Sequence, residues 1–274
     1  MSGPQLFRPS PALASHVDFF GYWDRDGGPT HRSRALPRGA ATVIIDLSPR
    51  QQVDFYAADG TTRLDVPPAF IAGAGSISYV TQIATAQTVL TIHFRPGVIF
   101  AAELSELENR CVGLADVWGA AGAELHDRLL DASSVASRIA LMEQFLLPRI
   151  RPRHAGMSAV LDAAERDPSM RVAQAVALTG LSPKRLIGLF RTEVGLTPKA
   201  YLRVRRLQAS LRLLDRGATS GADVAATLGY FDQAHFAREF REFTAMTPTQ
   251  YAHRRMWLPS HVGLGHQPER TVLR

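Results

Sequence analysis

The stretch "YFDQAHFAREFREFTAMTPTQY", Tyr230–Tyr251, repeats in outline "GLSPKRLIGLFRTEVGLTPKAY", Gly180–Tyr201, at a shift of 50 residues without a gap. Phe190 falls on Phe240, Arg191 on Arg241, Thr197-Pro198 on Thr247-Pro248 and Tyr201 on Tyr251. Upstream, Ala175 meets Ala225 and Leu178 meets Leu228. Two copies are too few for a solenoid, whose repeats stabilise one another in longer arrays. They point to one structural unit used twice.

In the second copy, "ADVAATLGY" predicts a short helix ending at Gly229, and Asp232 suits the N-cap of the next one. Phe236 and Phe240, spaced i, i+4, face inward. That leaves Gln233, Ala234, Ala237, Arg238 and Arg241 on the opposite face. The first copy has the same parts. "VAQAVALTG" leads, Gly180 lies in the turn, Ser182 is the N-cap and Pro183 takes the first helical position, where a missing N–H costs nothing. Leu186 and Phe190 form the inward pair, and Lys184, Arg185, Ile187, Gly188 and Arg191 face out. A short helix, a tight turn and an amphipathic second helix make a helix-turn-helix. Such a second helix fits a major groove about 12 Å wide. The intervening "TPKAYLRVRRLQASLRLLDRG" predicts one helix with Leu202, Leu207, Leu211 and Leu214 along a stripe. If it sets the heads near one DNA turn apart, about 34 Å, both reach successive grooves. The helices expected are Met157–Arg166, Arg171–Leu178, Pro183–Glu193, Pro198–Asp215, Ala222–Leu228, Gln233–Glu242 and Pro248–Trp257. Thr197 and Thr247 are expected to cap the helices that Pro198 and Pro248 begin.

Charge separates the two halves of the 274 residues. Residues 1–150 carry 12 Lys and Arg against 15 Asp and Glu, a net −3, and residues 151–274 carry 19 against 10, a net +9. The basic half suits a polyanion; a basic, solvated surface is the alternative. A hydrophobic content of 46% allows a sizeable core. The single cysteine, Cys111, excludes an internal disulfide framework. The opening "MSGPQLFRPSPALASHV" lacks the pattern of a secretory signal, and no apolar run approaches the roughly 18 residues of a membrane span. A cytoplasmic protein without membrane partners is expected. The nine histidines show no metal-ligand spacing, so neither a metal nor another cofactor is expected.

The first half reads as α+β. Strands are expected at Ala41–Leu47, Gln51–Ala58, Ile77–Ile83 and Gln87–Phe94, rich in β-branched and aromatic residues. From Gly97 the pattern turns helical, in "GVIFAAELSEL", "GAAGAELHDRLL" and Ser134 to about Leu147. Strands followed by helices suggest a small β-barrel or sandwich with appended helices. Its interior either encloses one small ligand or is filled by side chains. Prolines and arginines in "LLPRIRPRHAG" mark the boundary, which divides the chain into 1–150, 151–258 and a flexible tail at 259–274.

The residues "LSPKRLIGLFRTEVGLTPKAYL", "RRLQASLRLL" and "LGYFDQAHFAREFREFTAMTPTQY" resemble the DNA-binding domain of the AraC/XylS family of bacterial transcription regulators. "PSPALASHVDFFGYW" and "HFRPG" at His93–Gly97 resemble, less specifically, the N-terminal domains of a subset of these regulators. The resemblance implies sequence-specific binding of double-stranded DNA, contact with RNA polymerase, and an N-terminal domain, cupin-like in better-known members, for a small-molecule effector, a homodimer or both. The family's base-reading positions match Lys184, Arg185, Ile187 and Gly188 in the first copy and Gln233, Ala234, Ala237 and Arg238 in the second. Arg238 suits guanine and Gln233 suits adenine. Arg191 and Arg241, one turn on, suit phosphate. Ile187 and Gly188 depart from the long polar side chains common there; Ile187 suits a thymine methyl, and Gly188 allows close approach.

Other residues divide between a functional and a packing role. His235 is expected at phosphate or in packing. Arg203, Arg205, Arg206 and Arg212 are expected against acidic groups of the other domain or in solvent. For His93, Arg95, Trp23 and Trp118 a structural role outweighs a ligand pocket, and Cys111 is expected as a small buried hydrophobe. Two other functions compete. A DNA-repair methyl acceptor would use Cys111 as a thiolate, but "ENRCVGLAD" lacks a cysteine cluster. A protein-binding adaptor would dock the same helices on a protein.

Overall fold

The computed structural model describes residues 5–25, 27, 30–83, 86–100, 104–217, 220–256 and 260–264. The strands are β1 (Gln5–Phe7), β2 (Val17–Arg25), β3 (His31–Ala35), β4 (Thr42–Asp46), β5 (Val53–Tyr56), β6 (Arg63–Leu64), β7 (Ala69–Ala72), β8 (Tyr79–Ile83), β9 (Gln87–Phe94), β10 (Cys111–Gly113) and β11 (His261–Gly263). The helices are α1 (Leu114–Trp118), α2 (Ala120–Asp131), α3 (Val135–Leu146), α4 (Ala155–Arg166), α5 (Val172–Thr179), α6 (Pro183–Glu193), α7 (Pro198–Asp215), α8 (Gly221–Thr227), α9 (Gln233–Thr244) and α10 (Pro248–Arg254).

The strands form two antiparallel sheets, a six-stranded one in the order β1-β2-β9-β4-β7-β10 and a five-stranded one in the order β11-β3-β8-β5-β6. Every residue of β4 is buried, because its sheet is covered on both faces. Alternation along the strand sends Val43 and Ile45 into a cluster with Leu125 and Leu129 of α2 and Met142 and Phe145 of α3. It sends Ile44 into a cluster with Phe70 and, from the other sheet, Val53 and Phe55. The N-terminal half is a sandwich with helices on the outer face of one sheet. Side chains fill the space between the sheets, where Phe55 and Phe70 meet edge to face at 4.8 Å.

The four expected strands and the helices after Ser134 form close to their expected bounds. The helix expected from Gly97 does not. Gly97 adopts a positive φ of 75°, Ile99 bridges Arg151 as extended backbone, and the described helical part is a 3-10 turn at Leu104–Leu107. The last helix, expected to run to Trp257, ends at Arg254; Trp257 lies outside the described residues.

The tail expected from 259 onward is also corrected. His261–Gly263 pairs antiparallel with β3 as an edge strand. Leu36 N–H donates to the Ser260 carbonyl at 2.8 Å, and Leu264 N–H donates to Arg32 at 2.9 Å. Val262 is fully buried in a cluster with Leu36, Val204 and Leu207. Three residues with one apolar side chain carry no strand signal of their own; pairing and burial fix them. Residues 265–274 lie outside the described part.

Candidate nucleic-acid interface

Each unit is built by local signals. Ser182 accepts from the Arg185 N–H at 3.3 Å and Asp232 from the His235 N–H at 2.6 Å, so both second helices are capped. Pro183, Pro198 and Pro248 occupy first-turn positions, and Thr197 and Thr247 cap their helices. Gly180 and Gly229 turn the chain with φ of 66° and 67°, in the left-handed region where glycine has no steric penalty. Leu186, Phe190, Phe236 and Phe240 are buried, with Phe236 and Phe240 edge to face at 5.6 Å.

The ungapped 50-residue register fails at the leading helices. Leu178 is 50% exposed, whereas Leu228, its expected counterpart, is 4% exposed. Helix α5 begins at Val172 and α8 at Gly221, a shift of 49, and the glycines Gly180 and Gly229 share that shift. The capping residues Ser182 and Asp232 keep the shift of 50. The second turn therefore holds one extra residue. Tyr230 fills the buried place there, against Phe236 at 5.3 Å and with its hydroxyl donating to Glu239 at 3.1 Å. Phe231 is left 91% exposed.

On the outer faces, Lys184, Arg185, Ile187, Gly188 and Arg191 of α6 are exposed, as are Gln233, Ala234, Arg238 and Arg241 of α9. Ala237 is half-buried. His235 turns toward the protein: its ring packs edge-on against Tyr230 at 5.3 Å and accepts from the Phe231 N–H at 3.4 Å.

Helix α7 joins the units. Its 18 residues span about 27 Å at about 1.5 Å per residue. Among the described residues, the ion pairs of its arginines are made with carboxylates of the helical half. Arg203 pairs with Glu239 at 2.8 Å and Glu242 at 2.7 Å, both on α9. Arg205 and Arg212 pair with Glu165 of α4. Arg206 lies over the Tyr230 ring at 5.1 Å. These contacts tie α7 to both units, a long-range pairing that spacing alone did not reveal.

In the sandwich, His93 is buried and stacked on Phe19 at 4.2 Å. Arg38 donates to its Nδ1 at 2.5 Å, so the ring proton sits on Nε2, 3.0 Å from the Thr91 hydroxyl. Burial first, then Arg38 and His261, holds this imidazole well below the usual histidine range. Arg95 donates to the Ala14 carbonyl at 3.0 Å. Trp118 donates to the Phe100 carbonyl at 3.1 Å and meets Phe145 edge-on, and Trp23 packs against the intersheet cluster. His93, Trp23 and Trp118 thus have packing or hydrogen-bond partners within the sandwich, while Arg95 is exposed and lines a small cavity beside Phe94 and Gly97. Cys111 is half-buried in β10 rather than fully buried, and burial pushes its thiol up to about 11. Among the described residues no group of three or more His, Cys, Asp or Glu is placed to hold a metal, and no helix is long and apolar enough to cross a membrane.

A helix-turn-helix domain family matches residues 175–254, spanning α5 through α10. This part of the chain is similar to transcription regulators of the AraC/XylS type, the arabinose operon regulatory protein among them. A second family, described as a domain of unknown function (DUF6597), matches residues 5–113 of the sandwich. The arabinose operon regulatory protein of Escherichia coli K12 is 27% identical over 124 residues, 41% of this chain and 42% of that protein. An uncharacterised HTH-type transcriptional regulator of Haemophilus influenzae is 27% identical over 113 residues, 40% of this chain and 37% of that protein. The chain thus matches less than half of the length of these relatives. Among solved structures, ToxT of Vibrio cholerae O395 aligns over 85% of this chain and 96% of its own, with a TM-score of 0.46 and 11% identity.

Proposed function

We propose that this protein is a sequence-specific, DNA-binding transcription regulator of the AraC/XylS type. The observation that carries the reading is the duplicated unit, in which paired apolar side chains are buried while Lys184, Arg185, Gln233 and Arg238 stay exposed on the second helices. A helix seated in a major groove presents its outer face to base edges. Arg238 and Gln233 read bases at the second head, and Lys184 and Arg185 at the first, where Ile187 and Gly188 allow close approach. Arg191 and Arg241 hold phosphates. The net charge of +9 over residues 151–274 supplies the salt-dependent part of the affinity.

The N-terminal sandwich takes the input in this reading, a small molecule or a second copy of the chain, and the output is contact with RNA polymerase in the cytoplasm. The competing methyl-acceptor reading is disfavoured by Cys111, since a thiol raised by burial supplies little thiolate. The test is selection of duplexes from a random library by the full-length protein, followed by competition with scrambled DNA at moderate salt. A selected motif bound in preference to scrambled duplex is expected. The double variant Lys184→Glu with Arg238→Glu should lose that preference. Binding indifferent to sequence would overturn the proposal, and a variant that keeps its preference would favour the adaptor reading.

A further inference from the structure

We infer that Phe231 is a base-reading residue, placing its ring against a thymine 5-methyl group in the groove that α9 enters. The inference rests on the DNA-binding reading above and adds an element of the target sequence to it. Phe231 occupies the turn that the second unit lengthens by one residue. The equivalent position at a shift of 50 is Leu181, which is half-buried against the core of the first unit. In the second unit Tyr230 takes over the buried work, so the fold has no use for a second aromatic ring there. Phe231 is nevertheless an aromatic residue, and it is 91% exposed.

Its backbone is held in place. The N–H donates to His235 Nδ1 at 3.4 Å, and the next residue is the N-cap Asp232, bonded back at 2.6 Å. The ring is therefore carried at the entrance of the recognition helix, beside exposed Gln233 and Ala234. The residues that open such a helix are those that meet base edges. Of the features displayed in the major groove, the thymine methyl is the apolar one, and Phe and Ala side chains are its usual contacts. The first unit offers the same chemistry in a milder form through Ile187, 38% exposed on α6.

The test uses the full-length protein and the duplex it selects from a random library. Each thymine of that duplex is replaced in turn by deoxyuridine, which removes one methyl and leaves the hydrogen-bonding edges intact. For the natural protein, one thymine facing the start of α9 should weaken binding about four-fold on losing its methyl, the factor that one buried methyl group carries. Phe231→Ala should bind the thymine duplex weakly, show no further loss with deoxyuridine at that position, and keep the same slope of affinity against salt. Its thermal unfolding should match that of the natural protein, because the ring is outside the core. Phe231→Leu should recover part of the methyl discrimination. The inference is overturned if no thymine matters, if Phe231→Ala retains the methyl effect, or if it weakens both duplexes equally, which would place the ring on deoxyribose instead. A library that yields no motif defeats the DNA-binding reading itself, and this inference with it.

Discussion

Ser260 and Gln208 are hydrogen-bonded, the hydroxyl donating to the side-chain oxygen of Gln208 at 2.9 Å. The nitrogen of the same amide donates to the Pro37 carbonyl at 2.5 Å. One side chain of α7 thus joins the segment leading into β11 and the loop after β3. Nearby, Gly39 lies against Val204 and Tyr201 of α7, and Val262 shares a buried cluster with Leu36 and Val204. The helix between the two helix-turn-helix units is also the helix on which the sandwich rests.

Replacing Gln208 with Leu keeps the bulk and removes both hydrogen bonds, leaving a buried Pro37 carbonyl and the Ser260 hydroxyl without their partner. Each unmet group costs about 1–3 kcal/mol. Urea unfolding should show a loss of about 2 kcal/mol or more. Hydrogen exchange should rise in β11 and β3 before it rises in α9. A variant with unchanged exchange in β11 would show that the clasp holds without this amide.

Arg203 anchors the second recognition helix to α7 through Glu239 and Glu242. Glu239 is buried and also accepts from Tyr230. Arg203→Ala removes the cation and leaves that carboxylate beside an aromatic cluster. Breaking a largely buried pair in this way costs about 3 kcal/mol. Affinity for the selected duplex should fall with it, because α9 loses its fixed orientation. Pairing the change with Glu239→Gln should recover stability relative to Arg203→Ala, since no charge is then stranded. Equal stability of the two variants would mean that solvent already screens Glu239.

The helical half was the more legible part of the sequence, because its signals are local. Pro183, Pro198 and Pro248 begin helices, Ser182, Thr197, Asp232 and Thr247 cap them, and the i, i+4 aromatic pair of α9 shows its inner face. The missed parts depend on contacts far along the chain. Strand β3 reads "HRSRA" and β11 reads "HVG"; neither alternates clearly, and β3 is fixed by pairing with β8 on one side and β11 on the other. Strand β2, "VDFFGYWDR", is rich in aromatic residues but does not alternate cleanly, with Phe20, Gly21 and Tyr22 buried in succession. The extra residue in the second turn was hidden because the recognition helices and the segments after them keep a perfect shift of 50. It shows only when the positions of Gly180 and Gly229 are compared.

Acid should weaken the fold through buried His93 and, to a lesser degree, the partly buried His16 and His31. His93 is held well below the usual value of 6.5 by burial, by Arg38 and by His261. His16 and His31 are lowered for the same first reason. The unfolded chain takes up protons as pH falls through 6.5 and the folded chain does not. Stability is therefore full above pH 6.5 and declines below it until the folded pKa values are reached. Buried His93 contributes up to about 1.4 kcal/mol per pH unit, and His16 and His31, which are only partly buried, contribute less because solvent screens them. Urea midpoints at pH 7.5 and 5.5 should differ accordingly, and His93→Gln should flatten the dependence. An unchanged slope in that variant would move the effect to the other two histidines.

Base readers and phosphate binders should separate in one experiment on the exposed arginines. Arg238 sits one turn into α9 and Arg241 nearly one turn beyond it, both exposed. An arginine bidentate to guanine contributes about 1–3 kcal/mol of discrimination against other bases. Arg238→Ala should therefore bind the selected duplex about ten-fold or more weakly while losing little on duplexes altered at one G·C pair. Arg241→Ala and Arg191→Ala should weaken every duplex alike and lower the slope of log affinity against log salt by about 1 each. The measurement is fluorescence anisotropy across four salt concentrations with single-substitution duplexes. If Arg238→Ala proves as indifferent to sequence as Arg241→Ala, the second head reads through Gln233 and Phe231, and Arg238 joins the phosphate binders.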